Sequence, residues 1–67
     1  MKITVNFLGG EQKTVEVEKG AKILDLLRAL RINRETVLVK VDGKITPEEE
    51  ELRDGAEVTI FTIVTGG

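Results

Sequence analysis

The chain has 67 residues, enough for one domain with one small hydrophobic core and too few for a second domain. It contains no cysteine and no histidine, which excludes disulfides, the usual zinc sites and catalysis by a thiol or an imidazole of its own. Hydrophobic residues make up 40% and charged residues 33% of the chain, as in a folded domain, and the formal net charge of -2 argues against direct binding to nucleic acid.

The N-terminal residues predict a β-hairpin. From Lys2 to Leu8 apolar and polar residues alternate, Gly9-Gly10 supplies a turn, and the alternation resumes from Thr14 to Glu18. The first strand would bury the face formed by Ile3, Val5 and Phe7. This opening segment is unlike a signal peptide and no apolar run is long enough to span a membrane, so we expect a cytoplasmic protein with no membrane partner.

A single helix is expected after the hairpin. Apolar residues recur at the i, i+3, i+4, i+7 spacing of one helical stripe, namely Ile23, Leu26, Leu27 and Leu30. The stripe predicts a helix over residues 22–32. Asp25 in its first turn suits the helix dipole, Asn33 is expected to take the left-handed conformation after its end, and no Ser, Thr or Asp precedes Ile23 as an N-cap.

A third strand and a tight turn follow the helix. Valines alternate with other residues from Val37 to Val41, and Asp42-Gly43 marks a turn before Lys44 and Ile45. Thr46-Pro47-Glu48-Glu49 fits an N-cap threonine, a proline at the first helical position and a capping-box glutamate. These residues predict one short helical turn in the segment up to Leu52, with Leu52 as its buried plug.

The last strand is expected after the turn at Asp54-Gly55, from Val58 and Ile60 through Val64. The resulting order β-β-α-β-β predicts an α+β domain, with a mixed sheet of four to five strands covered on one face by one helix. Right-handed crossover geometry allows the first and last strands to lie side by side and parallel at the centre of the sheet. We assign the domain to residues 1–64 and a flexible tail to residues 65–67.

The C-terminal Gly66-Gly67 is the most informative motif. At average glycine usage, two terminal glycines arise by chance in roughly 0.5% of chains. A tail without β-carbons can pass extended through a narrow channel, so that a partner grips only backbone and reaches an unhindered carboxylate. We therefore expect Gly67 to carry a reactive carboxylate.

Taken in order along the whole chain, several segments resemble the β-grasp sulfur carriers ThiS and MoaD and the archaeal small ubiquitin-like modifiers. The chain lacks the longer first loop and helix of MoaD-like proteins and is more similar to ThiS and the shorter archaeal modifiers. The matching segments are Val37-Leu38-Val39-Lys40-Val41-Asp42-Gly43-Lys44-Ile45 with Pro47-Glu48, then Asp54-Gly55-Ala56-Glu57-Val58, and finally Thr65-Gly66-Gly67.

The resemblance implies a ubiquitin-like β-grasp fold and a sulfur carrier that is itself no enzyme. An E1-like adenylating enzyme would activate the final glycine, Gly67. Gly66, which has no side chain, would keep the chain narrow directly before it. The chain would bind no cofactor, because ATP and the sulfur donor are used by the activating partner. The thiocarboxylate would pass to a sulfur-accepting enzyme, and thiamine thiazole, molybdopterin and thiolated tRNA all remain open as destinations.

An apolar docking patch is expected near the tail. If Val58 and Ile60 face the core, the pleat turns Phe61 to the opposite face of the sheet. The expected partner-binding residues are Phe61, Ile63, Leu38 and Leu8. A bulge that shifts the strand phase would place some of them in the core instead.

Other functions remain open at this point. A ubiquitin-like modifier would be conjugated through Gly67 to lysines of substrate proteins, and a non-covalent interaction domain would use neither glycine. Exposed lysines of this chain that could accept a modifier are Lys2, Lys13, Lys19, Lys22, Lys40 and Lys44.

The run from Glu48 to Glu51 favours a solvated turn over a basic partner or a weakly held cation, because it lacks the spaced ligands of a calcium loop. We expect no metal site and a monomer in isolation.

Overall fold

The computed structural model describes residues 1–63, which form five strands, one α-helix and one 3₁₀ turn. The strands are β1 (Lys2–Phe7), β2 (Gln12–Glu16), β3 (Val37–Val41), β4 (Lys44–Ile45) and β5 (Glu57–Thr62). The helix α1 spans Ile23–Ala29, and the 3₁₀ turn spans Arg34–Thr36. No helix within residues 1–63 is long and apolar enough to cross a membrane. Val64, the predicted end of the last strand, and the tail at 65–67 lie outside the described residues.

The sheet has the order β2-β1-β5-β3-β4. The first strand pairs in parallel with the last, with Val5 beside Val58 and Phe7 beside Ile60, and every other neighbouring pair is antiparallel. The predicted mixed sheet and its parallel central pair are therefore confirmed. Because β1 and β5 run the same way, both strands end at the same end of the sheet.

The hydrophobic core lies between α1 and one face of the sheet. The helix contributes Ile23, Leu26 and Leu27, each at most 2% exposed. The sheet and the loop before β5 contribute Ile3, Val5, Val39, Leu52, Ala56, Val58 and Ile60. The predicted phase of β1 and β5 and the burial of Leu52 are confirmed. Burial of these side chains supplies most of the favourable free energy of folding.

The helix is shorter than predicted. It ends at Ala29 and not at residue 32. Arg31, and not Asn33, takes the left-handed conformation, with φ 59°. The N–H of Ile32 then donates to the Leu27 carbonyl at 2.9 Å and the N–H of Arg31 to the Arg28 carbonyl at 3.0 Å, which together form a Schellman motif. Asn33 instead accepts a hydrogen bond from the Glu35 N–H and caps the 3₁₀ turn.

The predicted helical turn in the segment from Thr46 up to Leu52 is also wrong. The Thr46 hydroxyl donates to the Lys44 carbonyl at 2.8 Å and caps no helix, while Pro47 and Glu50 close a simple turn. The backbone carbonyls of this segment accept hydrogen bonds from the first N–H groups of α1 instead. Glu50 accepts from the Ile23 N–H and Glu48 from the Leu24 N–H, both at 3.0 Å. These bonds satisfy the first N–H groups of the helix, which has no Ser, Thr or Asp as N-cap.

Candidate functional site

The described chain ends one residue after β5, at Ile63, so Gly66 and Gly67 lie outside the described residues. The end of β5 is nevertheless fixed within the sheet. The N–H of Ile63 donates to the Thr36 carbonyl at 2.8 Å, and Thr62 is paired with Val37. The position from which the last four residues continue is therefore set by β3 and β5.

Leu38 and Phe61 lie side by side on the face of the sheet opposite α1. They are direct neighbours in the β3–β5 register, between the Val37–Thr62 pair and the Val39–Ile60 pair. Because Val39 and Ile60 are buried beneath the helix, the pleat turns Leu38 and Phe61 outward. The structure thus brings together two of the four residues predicted to bind a partner.

Phe61 is only half-buried and lies beneath a cation. The Nζ atom of Lys40 is 5.2 Å from the centre of the Phe61 ring, within the range of a cation–π contact. Lys40 lies two residues after Leu38 on β3, so its side chain leaves the sheet on the same face. The outward face therefore presents an aromatic ring with a positive charge above it.

Ile63 and Leu8 lie at the same end of the sheet as this pair. Ile63 is 45% exposed and follows Phe61 by two positions, which places it on the outward face. Leu8 is 65% exposed and comes directly after β1, one position beyond the pairing of Phe7 with Ile60. We call Leu8, Leu38, Phe61 and Ile63 the outward apolar cluster. It lies where β5 ends and the chain continues toward Gly67.

Ile45 is an exposed apolar residue that the sequence analysis did not single out. It is 65% exposed and pairs with Lys40 across the short β3–β4 hairpin. The signal was present in the sequence, since a two-residue turn at Asp42-Gly43 fixes Val41 opposite Lys44 and hence Lys40 opposite Ile45. Ile45 thereby extends the apolar surface from Leu38 to the edge of the sheet.

Polar side chains border the outward apolar cluster on the same face of the sheet. Asn6 donates to a Glu57 carboxylate oxygen at 2.9 Å and accepts from the Gln12 amide at 2.7 Å. This chain of hydrogen bonds crosses β2, β1 and β5, and Asn6 pairs with Thr59, two residues before Phe61 on the same face. The apolar part of the outward face near the end of β5 is thus bounded by polar side chains.

The acidic run Glu48–Glu51 forms no metal site in the described structure. Within residues 1–63, no group of three or more acidic side chains is placed to hold a metal ion. Glu48 instead pairs with Arg34, whose Nη1 lies 2.6 Å from its carboxylate oxygen. Both side chains are accessible to water, so this pair contributes little to stability.

Comparisons with known proteins agree with the motifs and the topology. The model of the ThiS family matches residues 3–67. With both chains covered in full, this chain is 38% identical to an uncharacterized protein of Archaeoglobus fulgidus and 31% identical to Small archaeal modifier protein 2 of Haloferax volcanii. The crystal structure of SAMP1 from Haloferax volcanii superposes with a TM-score of 0.79 at 20% identity, again over all of both chains, which supports the fold alone. The chain therefore belongs to the ThiS family and has the ubiquitin-like β-grasp fold of a small carrier or modifier protein.

Proposed function

We propose that this protein is a sulfur carrier whose Gly67 carboxylate is adenylated by an E1-like activating enzyme and then converted to a thiocarboxylate. The observation that carries the proposal is the family match, which runs through the end of the sequence at Gly66-Gly67. The chain has no cysteine or histidine to act as a nucleophile or a base, which supports a carrier that is activated by the catalytic groups of a partner enzyme.

The proposed reaction has two displacement steps. A Gly67 carboxylate oxygen bonds to the α-phosphorus of ATP and pyrophosphate leaves, so that the carboxyl group gains AMP as a leaving group. Hydrosulfide delivered by the sulfur donor then bonds to the carbonyl carbon of Gly67 and AMP leaves, which gives the thiocarboxylate with no change of oxidation state. ATP, the sulfur donor and the residues that stabilise both steps are supplied by the activating enzyme. Gly66 and Gly67 contribute a tail without side chains that a narrow channel admits.

The outward apolar cluster is proposed as the surface that docks on the activating enzyme. It lies at the end of the sheet from which the tail continues, so one contact would hold the domain while Gly67 enters the enzyme. Leu38, Ile63 and Leu8 are each at least 43% exposed, an arrangement that a folded domain does not need for its own core. The aromatic ring of Phe61 is the natural anchor of such a surface.

ATP–pyrophosphate exchange tests the proposal directly. The E1-like enzyme of the same organism should exchange labelled pyrophosphate into ATP only when this protein is present. Exchange at the same rate without the protein, or with a variant that lacks Gly66 and Gly67, would reject the proposed activation at Gly67.

Protein conjugation is the second candidate function. The 31% identity to a Haloferax volcanii protein named as a modifier supports it, and it shares the adenylation step with sulfur transfer. The two functions differ in the nucleophile that displaces AMP, which is a substrate lysine in conjugation. Because Arg53 is the last basic residue before the C-terminus, trypsin would leave residues 54–67 on a modified lysine, and this remnant on other cellular proteins, found only when this protein is present, would establish conjugation.

A further inference from the structure

The edge of the sheet at β3 carries backbone groups that the described chain leaves without partners. On the β5 side, the Thr36 carbonyl accepts from Ile63, directly after β5, and the Asp42 N–H donates to Glu57 of β5, so the even-numbered residues of this stretch face β5. The odd-numbered residues Val37 and Val39 therefore point their backbone groups toward the opposite edge. The bond from the Thr46 N–H to the Val39 carbonyl, 3.0 Å long, agrees with this alternation.

Strand β4 covers only part of this edge. It pairs with Lys40 and Val41 and is two residues long. Within residues 1–63, the Val39 N–H and the Val37 carbonyl have no hydrogen-bond partner across this edge. These two groups flank Leu38 on one side of the strand, which is the spacing that an added strand uses for a pair of backbone bonds.

An apolar groove runs along the same edge. Its volume is about 420 Å³, and its apolar lining comes from α1, β3, β4 and the loop after β4, including Leu27, Val37, Leu38, Ile45 and Pro47. The opposite edge of the sheet differs, because β2 presents almost entirely exposed polar and charged side chains. Charged edge residues of that kind discourage strand addition. Of the two edges, the one at β3 is therefore suited to an added strand.

The charged side chains beside the groove indicate the charge of a segment that would bind in it. Arg34 and Glu48 neutralise one another at 2.6 Å, whereas Glu49, which also lines the groove, has no ion-pair partner among residues 1–63. Glu50 and Glu51 lie outside the groove, beside Lys44 and Arg53. The charged residues that line the groove are one arginine and two glutamates, so the lining has a net charge of -1 through Glu49, and a positively charged segment would be attracted to it.

The geometry points to a peptide-binding site: the β3 edge accepts an extended segment of a partner protein in which apolar residues alternate with lysine or arginine. The segment pairs its backbone with the Val37 carbonyl and the Val39 N–H. Its apolar side chains enter the groove between Leu27 and Ile45, and its basic side chains lie beside Glu49. This site is distinct from the carboxylate of Gly67 and does not require it.

Titration of ¹⁵N-labelled protein with a capped Val-Lys-Val-Lys-Val peptide tests the site by NMR. At about 1 mM peptide, amide shifts should appear at Val37–Val39, Ile45 and Glu48–Glu49, with the Val39 N–H most affected. The same peptide with glutamate in place of lysine, or with proline at its centre, should bind at least about fivefold more weakly. No shift at all, equal binding of the three peptides, or shifts centred on β2 would overturn the proposal.

Exposed substitutions in the protein provide matched variants. Ile45→Ser should weaken binding of the lysine peptide about tenfold and Glu49→Lys about fivefold, because each changes a groove contact without touching the core. Glu16→Lys, the same charge reversal on the β2 edge, should leave binding unchanged. Deletion of Gly66 and Gly67 should also leave it unchanged. Equal losses in Glu16→Lys and Glu49→Lys, or loss of binding on deletion of the glycines, would contradict a site at the β3 edge.

Discussion

Leu38 and Phe61 are direct neighbours across the β3–β5 ladder, and both project from the face of the sheet that the helix leaves open. Their pairing sets an apolar surface beside the end of β5, from which the chain continues to Gly67. The surface and the end of β5 are thus held in a fixed relation by the strand register.

Phe61→Ala should weaken docking on the activating enzyme more than it weakens the fold. Truncation of an aromatic anchor commonly costs about 2 kcal/mol of binding, so the protein concentration for half-maximal adenylation should rise about tenfold or more. The ring is half-buried beneath Lys40, so we expect a loss of only about 1 kcal/mol in the free energy of unfolding. Chemical denaturation and adenylation kinetics measure the two quantities.

Phe7→Ala is the matched control for this experiment. Phe7 is also partly buried and also lies beneath a lysine, with Lys13 Nζ 5.9 Å from its ring centre, but it packs against the core side of the sheet. Its loss should lower stability without changing the concentration dependence of adenylation in the folded protein. If the two variants behave alike in both assays, Phe61 is a structural residue and the docking surface is misassigned.

Deletion of Gly67, or of Gly66 and Gly67, should abolish adenylation and leave thermal unfolding within a few degrees of the parent protein. The expectation follows from the proposed chemistry, since the activated carboxylate would be lost, and from the two glycines themselves, which have no side chain to contribute to a core. Scanning calorimetry and ATP–pyrophosphate exchange should be run on the same samples. A large fall in melting temperature or undiminished exchange would count against this account.

Leu27→Ala should lower the free energy of unfolding by roughly 2 to 5 kcal/mol, because Leu27 is 2% exposed and its truncation leaves a cavity beneath the helix. Leu38→Ala serves as the control with the same chemical change. Leu38 is 43% exposed, so its truncation should cost less than about 1 kcal/mol. Equal shifts of the denaturant midpoint in both variants would show that the helix does not cover the sheet as described.

Arg31→Gly should stabilise the protein by about 0.5 to 1 kcal/mol. Arg31 occupies the left-handed position of the Schellman motif, where a side chain is strained and glycine is not. Arg28→Gly, one turn earlier and inside the helix, should destabilise by about 1 kcal/mol. The two glycine variants should therefore move the denaturant midpoint in opposite directions, and a loss of stability in both would contradict the assigned end of the helix.

The sheet could be predicted from the sequence because strand phase depends on local alternation. Val58 and Ile60 alternate with Thr59 and Phe61, so burial of one pair fixed the outward direction of the other. The same reasoning placed Leu38 and Ile63 on the outward face before any pairing was known. What alternation alone left open was the strand order, which depends on contacts between residues far apart in the chain.

The helix ends could not be predicted, because distant residues determine them. Leu30 and Ile32 continue the apolar pattern and still pack against the core, although the chain has already left the helix at Arg31. An arginine gives no sequence signal for a left-handed position. At the other end, carbonyls of Glu48 and Glu50 take the place of an N-cap side chain, and the same bonds hold that segment out of the helical turn its sequence favours.

The most direct test of the central proposal is the intact mass of the protein isolated from its own cells. If Gly67 becomes a thiocarboxylate, a fraction of the protein should carry the mass increase of one oxygen replaced by sulfur, and fragmentation should place that increase on Gly67. The increase should be absent from cells that lack the E1-like activating enzyme. A protein that stays unmodified under sulfur-demanding and stress conditions alike, in cells that contain the enzyme, would contradict the proposal.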